Sequence, residues 1–97
     1  MLKNGTLILN EANIKSISNE EKKSAKRIIV EEGVRVLDRW QFAYCPNLTK
    51  IVLPQTLIGF GSGCFTNCHN LRHINLPVGL KVIPVLAFAE CSSLPDI

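Results

Sequence analysis

Apolar residues recur along this chain at a spacing of 23 positions. Ile28, Ile51, Ile74 and Ile97 are each 23 apart, and the segments they open align without a gap. These are IIVEEGVRVLDRWQFAYCPNLTK, IVLPQTLIGFGSGCFTNCHNLRH and INLPVGLKVIPVLAFAECSSLPD. The third column holds Val30, Leu53 and Leu76, and the seventh holds Val34, Leu57 and Leu80. The tenth is Leu37, Phe60 and Ile83, and the fifteenth is Phe42, Phe65 and Phe88. Cys45, Cys68 and Cys91 share the eighteenth, and Leu48, Leu71 and Leu94 the twenty-first. Each such unit carries apolar residues that it cannot bury alone, and stacking the units buries them as ladders. The pattern predicts a solenoid.

Within one unit, Leu-x-x-Ile-x-Leu at Leu48–Leu53 and Leu71–Leu76 alternates at its end as a strand does. Pro54 and Pro77 follow, and proline supplies no ladder donor, so the strand should close there. A second short extended piece is expected at 57–60 and 80–83. Ala43 or Ala89 beside the ladder phenylalanine, with Cys shortly after, suggests a helical turn. The strands should pair in parallel along the stack.

The leader fits an N-terminal cap over residues 1–27. NGTLIL at 4–9 reads as a strand preceded by a glycine turn. Ser18 and Glu21 have capping-box spacing, opening a short helix through about Arg27. Residues 28–97 then form three repeats whose C-terminal end is uncapped. That end should expose Phe88, Leu94 and Ile97 with an unpaired strand edge. It implies either a segment of a longer chain or self-association through the open end.

The string Leu-x-x-Ile-x-Leu-Pro-x-x-Leu-x-x-Ile-x-x-x-Ala-Phe-x-x-Cys-x-x-Leu resembles the BspA-like class of leucine-rich repeats. The third repeat matches best; the second has Cys64 in place of the alanine and Phe60 for Ile, and the first has Gln41 and Glu31 at variant positions. The resemblance implies an α/β repeat solenoid, a right-handed coil with parallel strands on one face and short helical turns on the other. It also implies a surface or secreted setting and a role in adhesion, if the chain is part of a longer protein.

Charge narrows the partners. Residues 1–27 carry six basic and three acidic side chains, while residues 28–97 carry five of each. A nucleic-acid binder ordinarily needs a basic face on its folded body, so the expectation is no nucleic acid. No apolar run approaches the ~20 residues needed to span a bilayer, so no membrane insertion is expected. The N-terminus lacks the apolar core of a secretory signal.

Candidate chemistry is sparse. Cys64, Cys68, His69 and His73 are zinc-type ligands. However, the two pairs adjoin with no intervening loop, and Cys68 repeats a column whose other members have no histidines. A buried thiol ladder explains it, with four reduced cysteines, because ladder side chains point the same way rather than at each other. GFGSG at 59–63 lacks the lysine of a phosphate loop and reads as a turn. No hydrolase elbow occurs, so neither an enzyme nor a cofactor is expected. Trp40 either packs against the cap or serves as a surface anchor. The outward strand positions Arg27, Ile29, Lys50, Val52, His73 and Asn75 make a mixed, mildly basic strip. That strip is the candidate surface for a protein partner; the other reading is a spacer or self-assembly segment of a longer array.

Overall fold

A computed structural model describes residues 2–95. Ile97, the expected outermost rung, and Asp96 lie outside the described residues. The leader opens with a hairpin, β1 (Leu2–Lys3) and β2 (Thr6–Leu9). Asn4 and Gly5 turn it at φ 53° and 79°, the left-handed pair that a two-residue hairpin turn requires. One helix, α1 (Asn19–Ser24), follows. Its capping box is formed: Ser18 Oγ accepts from Glu21 N at 3.1 Å, and Glu21 Oε1 accepts from Ser18 N at 3.0 Å.

The helix stops three residues before the position expected from the sequence. Ala25 is extended and fully buried, and Arg27 is already the first residue of β3 (Arg27–Val30). Strand pairing and burial of Ala25 override the helical preference of the lysine-rich run.

The remaining strands come in two kinds. β5 (Lys50–Val52) and β7 (His73–Ile74) extend the sheet β1-β2-β3-β5-β7. β4 (Val36–Leu37) and β6 (Gly59–Phe60) form a separate parallel pair. Every pairing after the leader is parallel at the repeat spacing, as in Ile28↔Ile51 and Ile51↔Ile74. β2 joins the same sheet at a shorter offset, Thr6↔Arg27. The prolines behave as expected: Leu57 N donates to Pro54 O and Leu80 N to Pro77 O, each at 3.1 Å, turning the chain out of the strand. The extended piece expected at 80–83 is not a strand among the described residues. Lys81, Val82 and Ile83 are exposed.

The expected helical turns are absent as helix. Each repeat instead makes a succession of three-residue turns, for example Ala43 N to Trp40 O and Thr66 N to Gly63 O, both at 3.1 Å. The reason is a left-handed residue at two fixed columns. Trp40, Gly63 and Leu86 have φ of 59°, 66° and 64°, and Tyr44, Asn67 and Glu90 have 61°, 60° and 60°. A helix needs an unbroken run of negative φ. In its place alternate amides bond across to the next repeat, Phe42 N to Cys64 O at 2.9 Å and Phe65 N to Ala87 O at 2.9 Å.

The core lies between the sheet and these turns. Phe65 stacks between Phe42 and Phe88 with centroids 5.8 and 5.5 Å away, and Phe60 meets it edge-on at 5.4 Å. Leu7, Ile28, Ile51, Leu48 and Leu71 close the cluster from the strand side. Buried side-chain polar atoms among the described residues all have partners.

Candidate functional site

The sheet register builds the outer strand face from two parallel rows. The pairs Lys3↔Thr6, Thr6↔Arg27, Arg27↔Lys50 and Lys50↔His73 set five residues in one row. Ile8, Ile29 and Val52 form the next, two residues along each strand and on the same face. The strand period of two forces this, since the intervening positions Leu7, Ile28 and Ile51 point into the core. Lys3, Ile8, Arg27, Lys50 and His73 are exposed, and Ile29 and Val52 are half-buried.

Stacked like charges repel across adjacent strands, and the structure separates them. The Arg27 guanidinium turns toward the leader, where Nε donates to Thr6 Oγ1 at 3.0 Å and Nη2 to Asn4 O at 2.8 Å. Among the described residues Lys50 Nζ and the His73 ring have no hydrogen-bond or ion-pair partner.

Asn75 differs from its neighbours on the strip. Its side-chain amide is engaged with the previous repeat: Oδ1 accepts from Leu53 N at 2.7 Å and Nδ2 donates to Leu53 O at 2.8 Å. The side chain thus completes the sheet where the backbone of β7 has already diverged. A cleft of about 550 Å³ opens beside it, lined by Lys50, Val52, Arg72, His73, Leu94 and Pro95 among others. A second groove, about 590 Å³, runs past Ile29, Glu31, Val52 and Pro54 at the far ends of the strands.

The structure therefore brings Arg27, Lys50 and His73 into one row and Ile29 and Val52 into the next. Sequence reasoning missed the leader's contribution, Lys3, Thr6 and Ile8, because the leader joins at an offset of 21 rather than 23. The alternation in Thr6-Leu-Ile-Leu9 carried the signal: its odd members share the parity of the outward positions. Arg72 and Pro95 had no pattern to mark them, and the repeat marked Leu94 only as an inward rung, not as a wall of the cleft.

The cysteines occupy a different part of the molecule. Cys45, Cys64 and Cys68 are buried, Cys91 is half-buried, and all four are free thiols. Cys68 donates to Phe42 O at 3.1 Å and Cys91 to Phe65 O at 2.9 Å, the same bond one repeat apart. Burial pushes Cys64 up to about 12 and Cys91 to about 11. Cys68 is also pushed up, by the hydrogen bond it shares with Cys45 and then by burial. Cys45 moves the other way, lowered by its hydrogen bond with Cys68, but it is fully buried, and a nucleophilic thiol requires a lowered value together with access. Among the described residues no group of three or more His, Cys, Asp or Glu side chains is placed to hold a metal ion. Trp40 is half-exposed at the opposite end of the repeat from the strand face, where its ring covers Gly63.

Ladders at a 23-residue offset, proline turns after β5 and β7 and a phenylalanine-cysteine core define a leucine-rich repeat. A family model described as "BspA type Leucine rich repeat region (6 copies)" matches residues 5–97, and the chain belongs to that family. No curated protein matches the chain, and no solved structure does. No helix among the described residues is long and apolar enough to cross a membrane.

Proposed function

We propose that this chain is a non-enzymatic protein-binding module, wound as a right-handed coil, whose strand face is the contact surface. The observation that carries the reading is the register of the sheet. It sets exposed Arg27, Lys50 and His73 beside the aliphatic row Ile8, Ile29 and Val52 on one rigid face. A cationic row flanking an aliphatic one suits recognition, since charge orients a partner and apolar area holds it. Right-handed winding accords with the handedness of short crossovers between parallel strands. Family membership extends the reading to adhesion at a cell surface.

Photo-crosslinking tests it. A photoreactive residue at Val52 should capture a protein partner, and one at Val85 on the opposite flank should not. Lys50→Glu with His73→Glu should abolish capture while the circular dichroism spectrum stays unchanged. Equal capture from both positions would remove the strand face from consideration.

A second reading, self-assembly through the third repeat, has its own support. Val30 and Leu53 are each 2% exposed, whereas Leu76 in the same column is 36% exposed. β7 ends the sheet among the described residues. Sedimentation should then show mass rising with concentration, and Leu76→Asp should return the protein to a monomer. A monomer at every concentration defeats this reading and leaves the first intact.

A further inference from the structure

We infer that the occupant of the strand face is an extended acidic peptide segment with alternating apolar side chains, lying across the strands. The inference rests on the strand-face reading above and adds the chemistry of the partner. Three features of the face lead to it.

The charge is of one sign. Lys3, Arg27 and Lys50 stand in a single row, with Arg72 lining the cleft at its end. Among the described residues no acidic side chain belongs to that row or lines that cleft. Arg27 is held by two of its N–H groups, and a guanidinium has five, so donors remain for a carboxylate.

The two rows match the two edges of an extended chain. Adjacent strands are about 4.8 Å apart, and side chains two residues apart along a strand are about 6.6 Å apart. The five positions from Lys3 to His73 therefore span roughly 19 Å, the length of about six extended residues. A peptide laid across the strands between the rows sends alternate side chains left and right. Carboxylates then fall toward Lys3, Arg27 and Lys50, and apolar side chains toward Ile8, Ile29 and Val52.

The end of the row is hollow and partly apolar. The 550 Å³ cleft has Lys50 and Arg72 with Ile74, Leu94 and Pro95 on its walls. It accepts a terminal apolar side chain with a carboxylate beside it. A nucleic acid is disfavoured by the aliphatic character of the second row, which offers no ring on which a base could stack.

The probe is a fluorescein-labelled octapeptide, (Glu-Leu)4, titrated against the whole chain and read by anisotropy. Saturable binding is expected, weakening at least tenfold for Lys50→Glu with Arg72→Glu. Lys81→Glu, an exposed charge beside Val82 and Pro84, should change affinity less than twofold. (Gln-Leu)4 and (Glu-Ser)4 should each bind at least fivefold more weakly, separating the charged row from the aliphatic one. Raising salt from about 0.05 to 0.5 M should weaken (Glu-Leu)4 markedly, since exposed charges are screened. The inference is overturned if the peptide does not bind, if the double variant binds it as the parent does, or if oligothymidylate or a heparin fragment binds more tightly. Loss of peptide binding with retained crosslinking from Val52 would overturn the acidic-peptide inference alone. Loss of both would overturn the strand-face reading as well.

Discussion

The indole of Trp40 rests on Gly63, one repeat further along, so closely that a Cβ at position 63 would lie 2.5 Å from Cε3 of the ring. Gly63 is also left-handed, at φ 66°. Two independent demands thus meet at one glycine. Gly63→Ala should cost about 2 kcal/mol or more, combining left-handed strain of about 1–2 kcal/mol with displacement of the ring. Gly59→Ala is the control, because nothing lies within 4 Å of its added Cβ. It should stay within about 0.5 kcal/mol of the parent. Urea unfolding measures both, and equal effects would show that the Trp40 contact does not constrain position 63.

Asn75 gives a second test. Removing its side chain leaves Leu53 N–H and C=O without their 2.7 and 2.8 Å partners. Asn75→Ala should cost about 1–3 kcal/mol, the penalty for stranding backbone groups away from water. Amide exchange should localise the loss, with the Leu53 N–H exchanging faster than in the parent. An unchanged Leu53 amide would mean that water replaces the side chain without penalty.

The phenylalanine stack should be most sensitive at its centre. Phe65 is fully buried and touches Phe42, Phe60 and Phe88, whereas Phe88 is half-buried. Phe65→Ala should cost about 3–5 kcal/mol and Phe88→Ala clearly less, by the usual cost of emptying a core aromatic site. Thermal unfolding would decide the order, and Phe88→Ala matching Phe65→Ala would show that the third repeat is packed as tightly as the second.

Cys64 and Cys91 predict an alkaline limit, which Cys45, lowered by its hydrogen bond with Cys68, offsets in part. Cys64 is pushed up to about 12 and Cys91 to about 11 in the folded chain, by burial. An unfolded cysteine ionises near ~8.5. Above that pH the unfolded state has released protons that the native state still holds, so stability falls as pH rises. Below it both states are protonated, and the contribution is constant. Denaturation midpoints should therefore be flat in the neutral range with respect to these groups and decline from about pH 8.5 upward. Thiol titration with a disulfide reagent near pH 8 should be slow for the folded protein, with Cys91 reacting first, and should reach four thiols on unfolding.

Much of this architecture was legible because it repeats. Ile28, Ile51 and Ile74 announce by spacing alone the register that their strands adopt, and Phe42, Phe65 and Phe88 announce the stack. The leader was harder, since Thr6↔Arg27 breaks the 23-residue period and only strand alternation connects it to the repeats. The left-handed columns were mostly hidden. Gly63 and Asn67 are residues that favour that conformation, but Trp40, Tyr44, Leu86 and Glu90 are not. Tertiary bonds between repeats impose it on them, which is why turns stand where a helix was expected. Within the candidate face, Arg27, Lys50 and His73 are exposed while Ile28 and Ile51 beside them are buried, the alternation that a strand imposes. Alternation could not show that Asn75 spends its amide on Leu53, because that depends on β7 diverging from β5 after Ile74.

The bonds between repeats are drawn at nearly constant offsets. Cys68 reaches Phe42 as Cys91 reaches Phe65, and Asn47 reaches Lys23 O as Asn70 reaches Pro46 O. Any alteration in length therefore has a natural unit. A single inserted residue misaligns the lateral donors whose bonds span it, while a whole inserted repeat meets carbonyls already positioned to receive it. The reach of the strand face can thus grow by duplication, one rung at a time, without redesign of the interior.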